Sequence, residues 1–180
     1  YLLTHWWIAG VGMIYLMKTL KASPLAAFYG AIVFSCSGYF VGNGQLPPVI
    51  VSGAFLPLIL AFGERAAQKN HWGYYLLTGW ALGFSILGGY PPLLGFSGLC
   101  LALWLFLRYP TQKKQTFWGL LVVALIASIQ TLPSLVAFLT EGVGHADRIQ
   151  AVDPHRANFA DPFPPSAILT FFFPYFSIQA

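Results

Sequence analysis

Charged residues are scarce in this chain. Asp, Glu, Lys and Arg make up 8% of its 180 residues, whereas about a quarter of the residues of a soluble domain are charged. Because 57% of the residues are hydrophobic, so few charges cannot coat a surface that faces water. The composition therefore excludes an ordinary soluble protein and predicts an all-α integral membrane protein.

Cysteine is also rare, and several common functional signatures are absent from the sequence. The two cysteines, Cys36 and Cys100, lie in apolar runs, where a thiol behaves as a small hydrophobic group. The net charge of +4 comes from short basic clusters between apolar runs rather than from a continuous basic stripe, which argues against nucleic-acid binding. No Walker loop, nucleophile elbow or dinucleotide fingerprint is present. No secretory signal precedes the first apolar segment, so we expect a fragment of a longer protein.

Six apolar segments are long enough to be membrane-spanning helices, since a bilayer core needs about 20 residues, with roughly 17 to 25 allowed. Flanking aromatic or small residues complete the shorter ones. The predicted spans are 1–20, 25–41, 49–62, 71–88, 93–107 and 116–135, within a six-span region 1–139. Segment 140–180 is predicted to be an extracytoplasmic loop followed by an apolar helix that lies on the membrane surface or is a truncated seventh span.

Basic residues occupy every second connection between these spans. By the positive-inside rule, these connections face the cytoplasm, and the loops 42–48 and 88–92, which lack Lys and Arg, face outward. This orientation predicts that segment 140–162 is extracytoplasmic. The basic residues of the inner connections are Lys18, Lys21, Arg65, Lys69, Arg108, Lys113 and Lys114.

The outer segment TEGVGHADRIQAVDPHRANFADP (140–162) holds four of the five acidic residues. Its arginines, Arg148 and Arg156, are candidate ligands for phosphate, because a guanidinium group matches phosphate oxygens and lipid-linked substrates carry phosphate at this depth. Asp147 is a further candidate. The alternative is a solvated loop whose charges pair with one another.

The same segment leaves a metal site open as an alternative. His145, Asp147, Asp153 and His155 offer imidazole and carboxylate ligands that suit Mn or Zn. Their spacing matches no known metal signature, so the sequence predicts no definite metal or cofactor.

Two polar residues lie in or beside predicted spans near the outer side. Gln130, about 20 Å above the cytoplasmic start of the sixth span, either makes a helix–helix hydrogen bond or lines an outward-facing cavity. His5 opens the first span beside Trp6 and Trp7, where it either meets a substrate phosphate or bonds to water and headgroups.

Several short motifs resemble the YfhO-like family of bacterial membrane proteins, which belongs to the polytopic GT-C glycosyltransferase class. LGGYPPLL is similar to the Gly-Gly-His-Pro-Gln turn of that family but differs at Tyr90 and Pro92. Tyr90, at the position of the family's His, is a further substrate-binding candidate. The closing FPPSAILTFFFPYF is similar to its Pro-Pro and Phe-Pro surface segment. The matching residues are His5, Ala9, Gly10, Lys18, Ser37 and Gly38 near the start, Phe55, Leu56, Pro57, Leu58, Glu64 and Arg65 in GAFLPLILAFGER, Gln130 and Pro133 in IQTLPSL, and loosely Arg148.

The resemblance implies a GT-C membrane domain in a bacterial inner membrane that transfers a sugar from polyprenyl phosphate to a cell-envelope acceptor at the outer face. Arg148 or Arg156 would hold the donor phosphate, and Asp147 or His5 would orient groups nearby. The catalytic carboxylate of this class lies in the first outer loop, which is expected upstream of Tyr1.

Two other function classes are compatible with the sequence. A transporter or flippase would explain polar residues beside an outer cavity, although no charged residue lies deep within a predicted span. A non-catalytic membrane scaffold would explain the lack of a complete catalytic set.

Overall fold

All described elements of the chain are helical. The computed structural model describes residues 2–89, 91–137 and 139–140. Within these residues there is no strand, which confirms the predicted all-helical fold. A 3₁₀ turn, Pro110–Gln112, joins the last two helices. The helices are α1 (Leu2–Thr19), α2 (Pro24–Ser35), α3 (Gly38–Gly42), α4 (Pro47–Ala54), α5 (Leu56–Lys69), α6 (Trp72–Leu87), α7 (Pro91–Arg108) and α8 (Lys113–Ala137).

Local side chains and backbone geometry set several helix boundaries. Ser23 caps α2, where its hydroxyl oxygen accepts a hydrogen bond from the Ala26 N–H at 3.2 Å. Pro24 follows at the first helical position. Its lack of an N–H breaks no helical hydrogen bond there, because an N–H at this position has no intrahelical acceptor. Asn70 ends α5 in a left-handed conformation (φ 49°), and His71 then caps α6 by accepting from the Gly73 N–H at 3.1 Å.

Proline interrupts the third apolar segment. α4 ends at Ala54 and α5 begins at Leu56, with Pro57 in its first turn. An N–H group in the first turn of a helix has no intrahelical acceptor. Proline, which lacks this N–H, is therefore tolerated there, and a new helix can begin.

Three helical stretches are long and apolar enough to cross a membrane: Pro24–Gly42, Pro47–Lys69 and Pro110–Ala137. Gly95–Arg108 is a shorter apolar helix. In the most apolar window of Pro47–Lys69, 67% is buried by the rest of the protein, whereas only 11% of the corresponding window is buried in each of the other two stretches. Pro47–Lys69 is therefore central, and the other two stretches are peripheral. The large apolar side chains exposed on α2 and α8 suit contact with lipid. The six-span topology stays a prediction.

The core lies around α5. This helix packs against α1, α6 and α7, and α1 also packs against α2 and α4. One buried cluster joins α5, α6, α7 and α8; a second joins α1, α3 and α4. The larger members of the first are Ile59, Tyr75, Leu101, Leu105 and Val123, and the second contains Ala9, Phe40, Ile50 and Ala54.

The chain divides into two compact units, Tyr1–Leu135 and Val136–Ala180. The first contains the described polar clusters and the cleft discussed below. In the second, the Thr140 hydroxyl donates to the carbonyl oxygen of Val136 at 2.9 Å.

Candidate functional site

Polar side chains of the first unit gather at two opposite ends of the helices. We call the ends of α1, α5 and α7, with the starts of α6 and α8, the basic end. The starts of α1 and α4, with the end of α6 and residues near Gln130 of α8, form the neutral end. Hydrogen bonds join the helices at the basic end: Arg65 Nε of α5, for example, donates to Thr19 Oγ1 of α1 at 3.3 Å.

The centre of the basic end is the carboxylate of Glu64, which is fully buried. It accepts four side-chain hydrogen bonds, from Trp104 Nε1, Arg108 Nε and Tyr109 Oη at 2.8 Å each and from Gln68 Nε2 at 2.9 Å. Three of these bonds converge on Oε1, and Trp104 donates to Oε2. The network therefore ties α5 to the C-terminal end of α7.

These donors satisfy a group that would otherwise be costly to bury. An isolated carboxylate in an apolar interior is strongly unfavourable, but Arg108 supplies the opposite charge and the neutral donors complete the coordination. The guanidinium group also lies 5.7 Å from the centre of the Trp104 ring. Glu64 thus acts as a joint between two helices at this end.

Tyr109 follows α7 and is partly buried. Burial raises the pKa of its phenol, and the hydrogen bond that it donates to the Glu64 carboxylate raises that pKa further. The phenol consequently keeps its proton at neutral pH and remains a donor to Glu64.

A cleft of about 480 Å³ opens beside this network. Its wall combines cationic groups, amides and hydroxyls, a set suited to an anionic ligand. Lys21 enters it from the turn between α1 and α2, where its backbone has a φ of 62°. The lining residues are Thr19, Leu20, Lys21, Ala67, Gln68, Arg108, Tyr109 and Gln112.

The neutral end contains the amide oxygen of Gln130, which, unlike the Glu64 carboxylate, lacks hydrogen-bond donors in the described part of the chain. It is buried and has no hydrogen-bond partner among the described residues. The amide of this α8 residue packs on Gly83 of α6, where a Cβ atom would lie 2.7 Å from Gln130 Cδ. A glycine at position 83 therefore leaves room for the polar amide at the α6–α8 contact.

Two serines lie nearby, where α4 meets the end of α6. Ser85 Oγ donates to the backbone carbonyl oxygen of Ser52 at 2.7 Å. Ser52 Oγ is buried without a partner in the described part of the chain. It would lie 2.6 Å from a Cβ atom on Gly88, so its space also depends on a glycine.

The structure places only two of the residues proposed from sequence as substrate ligands. Gln130 lies at the neutral end as described above. His5 is partly buried, and its ring meets Phe55 edge-on with centroids 6.1 Å apart. Tyr90, Asp147, Arg148 and Arg156 lie outside the described residues, as do His145, Asp153 and His155 of the alternative metal site. No group of three metal-ligating side chains occurs in the described part.

Sequence analysis missed the role of Glu64. Glu64 entered only as one residue of a motif, and the predicted span ended at residue 62, whereas α5 continues to Lys69. One signal was available: Glu64 is the only acidic residue in the first 140 positions. A single carboxylate in an apolar chain with many nearby cations indicates a specific partner.

Comparison with known proteins adds no family to this picture. No protein-family model matches the chain, and no curated protein or solved structure is significantly similar to it.

Proposed function

We propose that this chain is part of a membrane glycosyltransferase that moves a sugar from a polyprenyl-phosphate donor to a cell-envelope acceptor at the outer face. In this proposal it adopts a GT-C-type architecture in a bacterial inner membrane, with the neutral end outward. The resemblance of its short motifs to the YfhO-like family motivates the proposal.

The observation that carries a ligand site at this end is the unpartnered amide oxygen of Gln130. A buried carbonyl oxygen without a hydrogen bond is unfavourable by about 1–3 kcal/mol, so such groups are rare unless a ligand or water completes them. A sugar hydroxyl is a suitable donor. Gly83 leaves room for the amide oxygen because it has no side chain.

The chemistry would follow from the charged segment 140–162. The acceptor hydroxyl oxygen attacks the anomeric carbon, the bond from that carbon to the phosphate oxygen breaks, and the phosphate leaves with the electron pair. A carboxylate takes the hydroxyl proton. Arg148 or Arg156 would neutralise the charge that develops on the phosphate, and Asp147 or His5 would orient groups nearby.

The decisive experiment measures transfer of labelled sugar in membranes that contain the full-length protein. We expect Arg148→Ala with Arg156→Ala to abolish transfer at unchanged protein level. Lys113→Ala with Lys114→Ala is the matched control, because it removes two charges from the basic end. Absence of transfer by the wild type from every common polyprenyl-phosphate sugar would refute the proposal.

The role of Gln130 can be tested separately. Gln130→Met keeps the side-chain length but removes the amide, and we expect it to raise the KM for donor or acceptor at least several-fold. Gln115→Met, in the same helix but at the basic end, should leave transfer unchanged. Equal effects of the two substitutions would assign Gln130 to packing alone.

Transport is a second candidate, and the buried carboxylate of Glu64, which pairs with the half-exposed Arg108, favours it. Ion-coupled transport commonly uses ionisable groups within apolar helices, and Glu64 lies within the apolar stretch Pro47–Lys69. Movement of a labelled polyprenyl phosphate across a liposome bilayer, without any acceptor, would support transport. Transfer that requires acceptor, with no such movement, would support the enzyme.

A further inference from the structure

The cleft at the basic end has the composition of an anion site, and the glycosyl-transfer proposal for the neutral end does not use it. We propose that this cleft binds a phosphate ester that carries a hydroxylated substituent, such as a glycerophosphate group.

The first support is the cationic groups that line the cleft. Lys21 makes no ion pair or hydrogen bond through its ammonium group within the described residues. Arg108 uses only Nε to bond Glu64, and its side chain is 48% exposed. Its terminal nitrogens can therefore donate to a phosphate in the cleft while Nε still holds the carboxylate.

The second support is the amide of Gln112. Gln112 lines the cleft, and its Oε1 atom is buried and has no hydrogen-bond partner among the described residues. A phosphate cannot donate to this oxygen at neutral pH once it is fully ionised, but a hydroxyl on the phosphate substituent can. The pairing of cations with an unpartnered acceptor thus indicates a hydroxylated ester rather than a bare anion.

The third support is the charge of the surroundings. Glu64 is the only acidic residue in the described part, and Arg108 already neutralises it. All seven described Lys and Arg residues lie at the basic end or in its turns, so the local potential attracts anions. If this end faces the cytoplasm, as the positive-inside rule predicts, it meets the leaflet surface where basic pockets between helices bind anionic headgroups.

Lipid retention in nanodiscs tests the site. The full-length protein is placed in discs of phosphatidylcholine that contain phosphatidylglycerol or phosphatidic acid, and the retained lipid is counted by native mass spectrometry. We expect phosphatidylglycerol to be retained over phosphatidylcholine. Lys21→Asn should reduce its retention at least threefold; asparagine tolerates the left-handed backbone at this position. Lys18→Gln is the matched control, since Lys18 is exposed nearby and does not line the cleft.

Two further arms identify the ligand and its source. Gln112→Met should remove any preference for phosphatidylglycerol over phosphatidic acid, because only the former carries substituent hydroxyls. Soluble glycerol phosphate is then added at millimolar concentration. Displacement of the lipid would assign the site to soluble esters, and retention of the lipid would assign it to headgroups; both results support the phosphate site.

Arg108 needs a variant that keeps the fold. Glu64→Gln with Arg108→Gln removes both charges together, so no buried carboxylate is left without its cation. We expect this variant to fold and to lose phosphatidylglycerol retention. The proposal is overturned if the lipids are retained equally and glycerol phosphate does not bind, or if Lys18→Gln lowers retention as much as Lys21→Asn.

Discussion

The basic and neutral ends differ in whether their buried polar atoms have hydrogen-bond partners. At the basic end a buried carboxylate accepts hydrogen bonds from four donors: one in α5, two in α7 and one in the residue that follows α7. At the neutral end the described residues leave Ser52 Oγ and Gln130 Oε1 without partners, and glycines make room for both.

The comparison distinguishes buried polar groups that hold helices together from buried polar groups that can still bind a ligand. A buried charge with complete coordination holds elements together and has little capacity for another partner. A buried neutral acceptor without a donor retains its capacity, and it costs less to bury than a charge. The basic end combines both kinds, because the cleft lies beside the saturated Glu64 network.

The largest expected effect is at Glu64. Glu64→Leu leaves the Trp104 indole and the Tyr109 phenol without their acceptor, so we expect the free energy of unfolding to fall by about 2–4 kcal/mol. Denaturation by sodium dodecyl sulfate in mixed micelles measures it. Glu64→Leu with Arg108→Leu should recover part of the loss, because the pair is removed together. Additive losses would show that the two residues do not act as a pair.

A smaller effect is expected where α6 meets α8. A Cβ atom on Gly79 would lie 2.8 Å from Ile126 Cβ and 3.0 Å from the Val123 carbonyl oxygen, so Gly79→Ala must separate the helices. We expect a loss of about 1–3 kcal/mol in the same unfolding assay. Gly98→Ala is the matched control, because nothing lies within 4 Å of its Cβ position. There alanine should be neutral or stabilise by up to about 1 kcal/mol.

The two serines of the neutral end should differ from each other. Ser85→Ala removes a buried hydrogen bond to the Ser52 carbonyl oxygen and should cost about 1 kcal/mol of unfolding free energy. Ser52→Ala removes a hydroxyl that has no partner in the described part, so we expect no loss of stability. Equal losses would show that the Ser52 hydroxyl has a partner in the folded protein.

The smallest effect is the titration of Tyr109. Its pKa is raised, so its phenol should stay protonated above pH 10, where a free tyrosine ionises. Its contribution to stability is then complete below that pH and is lost as the pH rises through the higher, folded-state pKa. Ultraviolet titration of the wild type minus Tyr109→Phe isolates the signal. A midpoint at or below about 10 would contradict the bond to Glu64.

Composition predicted the all-helical, apolar class of the fold. The scarcity of charge predicted apolar helices, and Pro24, Asn70 and Pro110 lie at helix boundaries that local chemistry explains. The break between α4 and α5 was not predicted, because one apolar run covers both helices. The candidate site was harder to predict from the sequence. Gln130 was identified as a polar residue within a span, but its contact with Gly83 joins positions 47 residues apart in the sequence.

The sequence by itself determined that this protein forms apolar helices and that the described cations cluster between the apolar segments, because hydropathy and charge are properties of each segment alone. Only the tertiary structure decided that Glu64 is a buried joint and that Lys21, Arg108 and Gln112 line one cleft. Those facts depend on which helix ends meet, and helix packing is set by side-chain shape across contacts that no single segment contains.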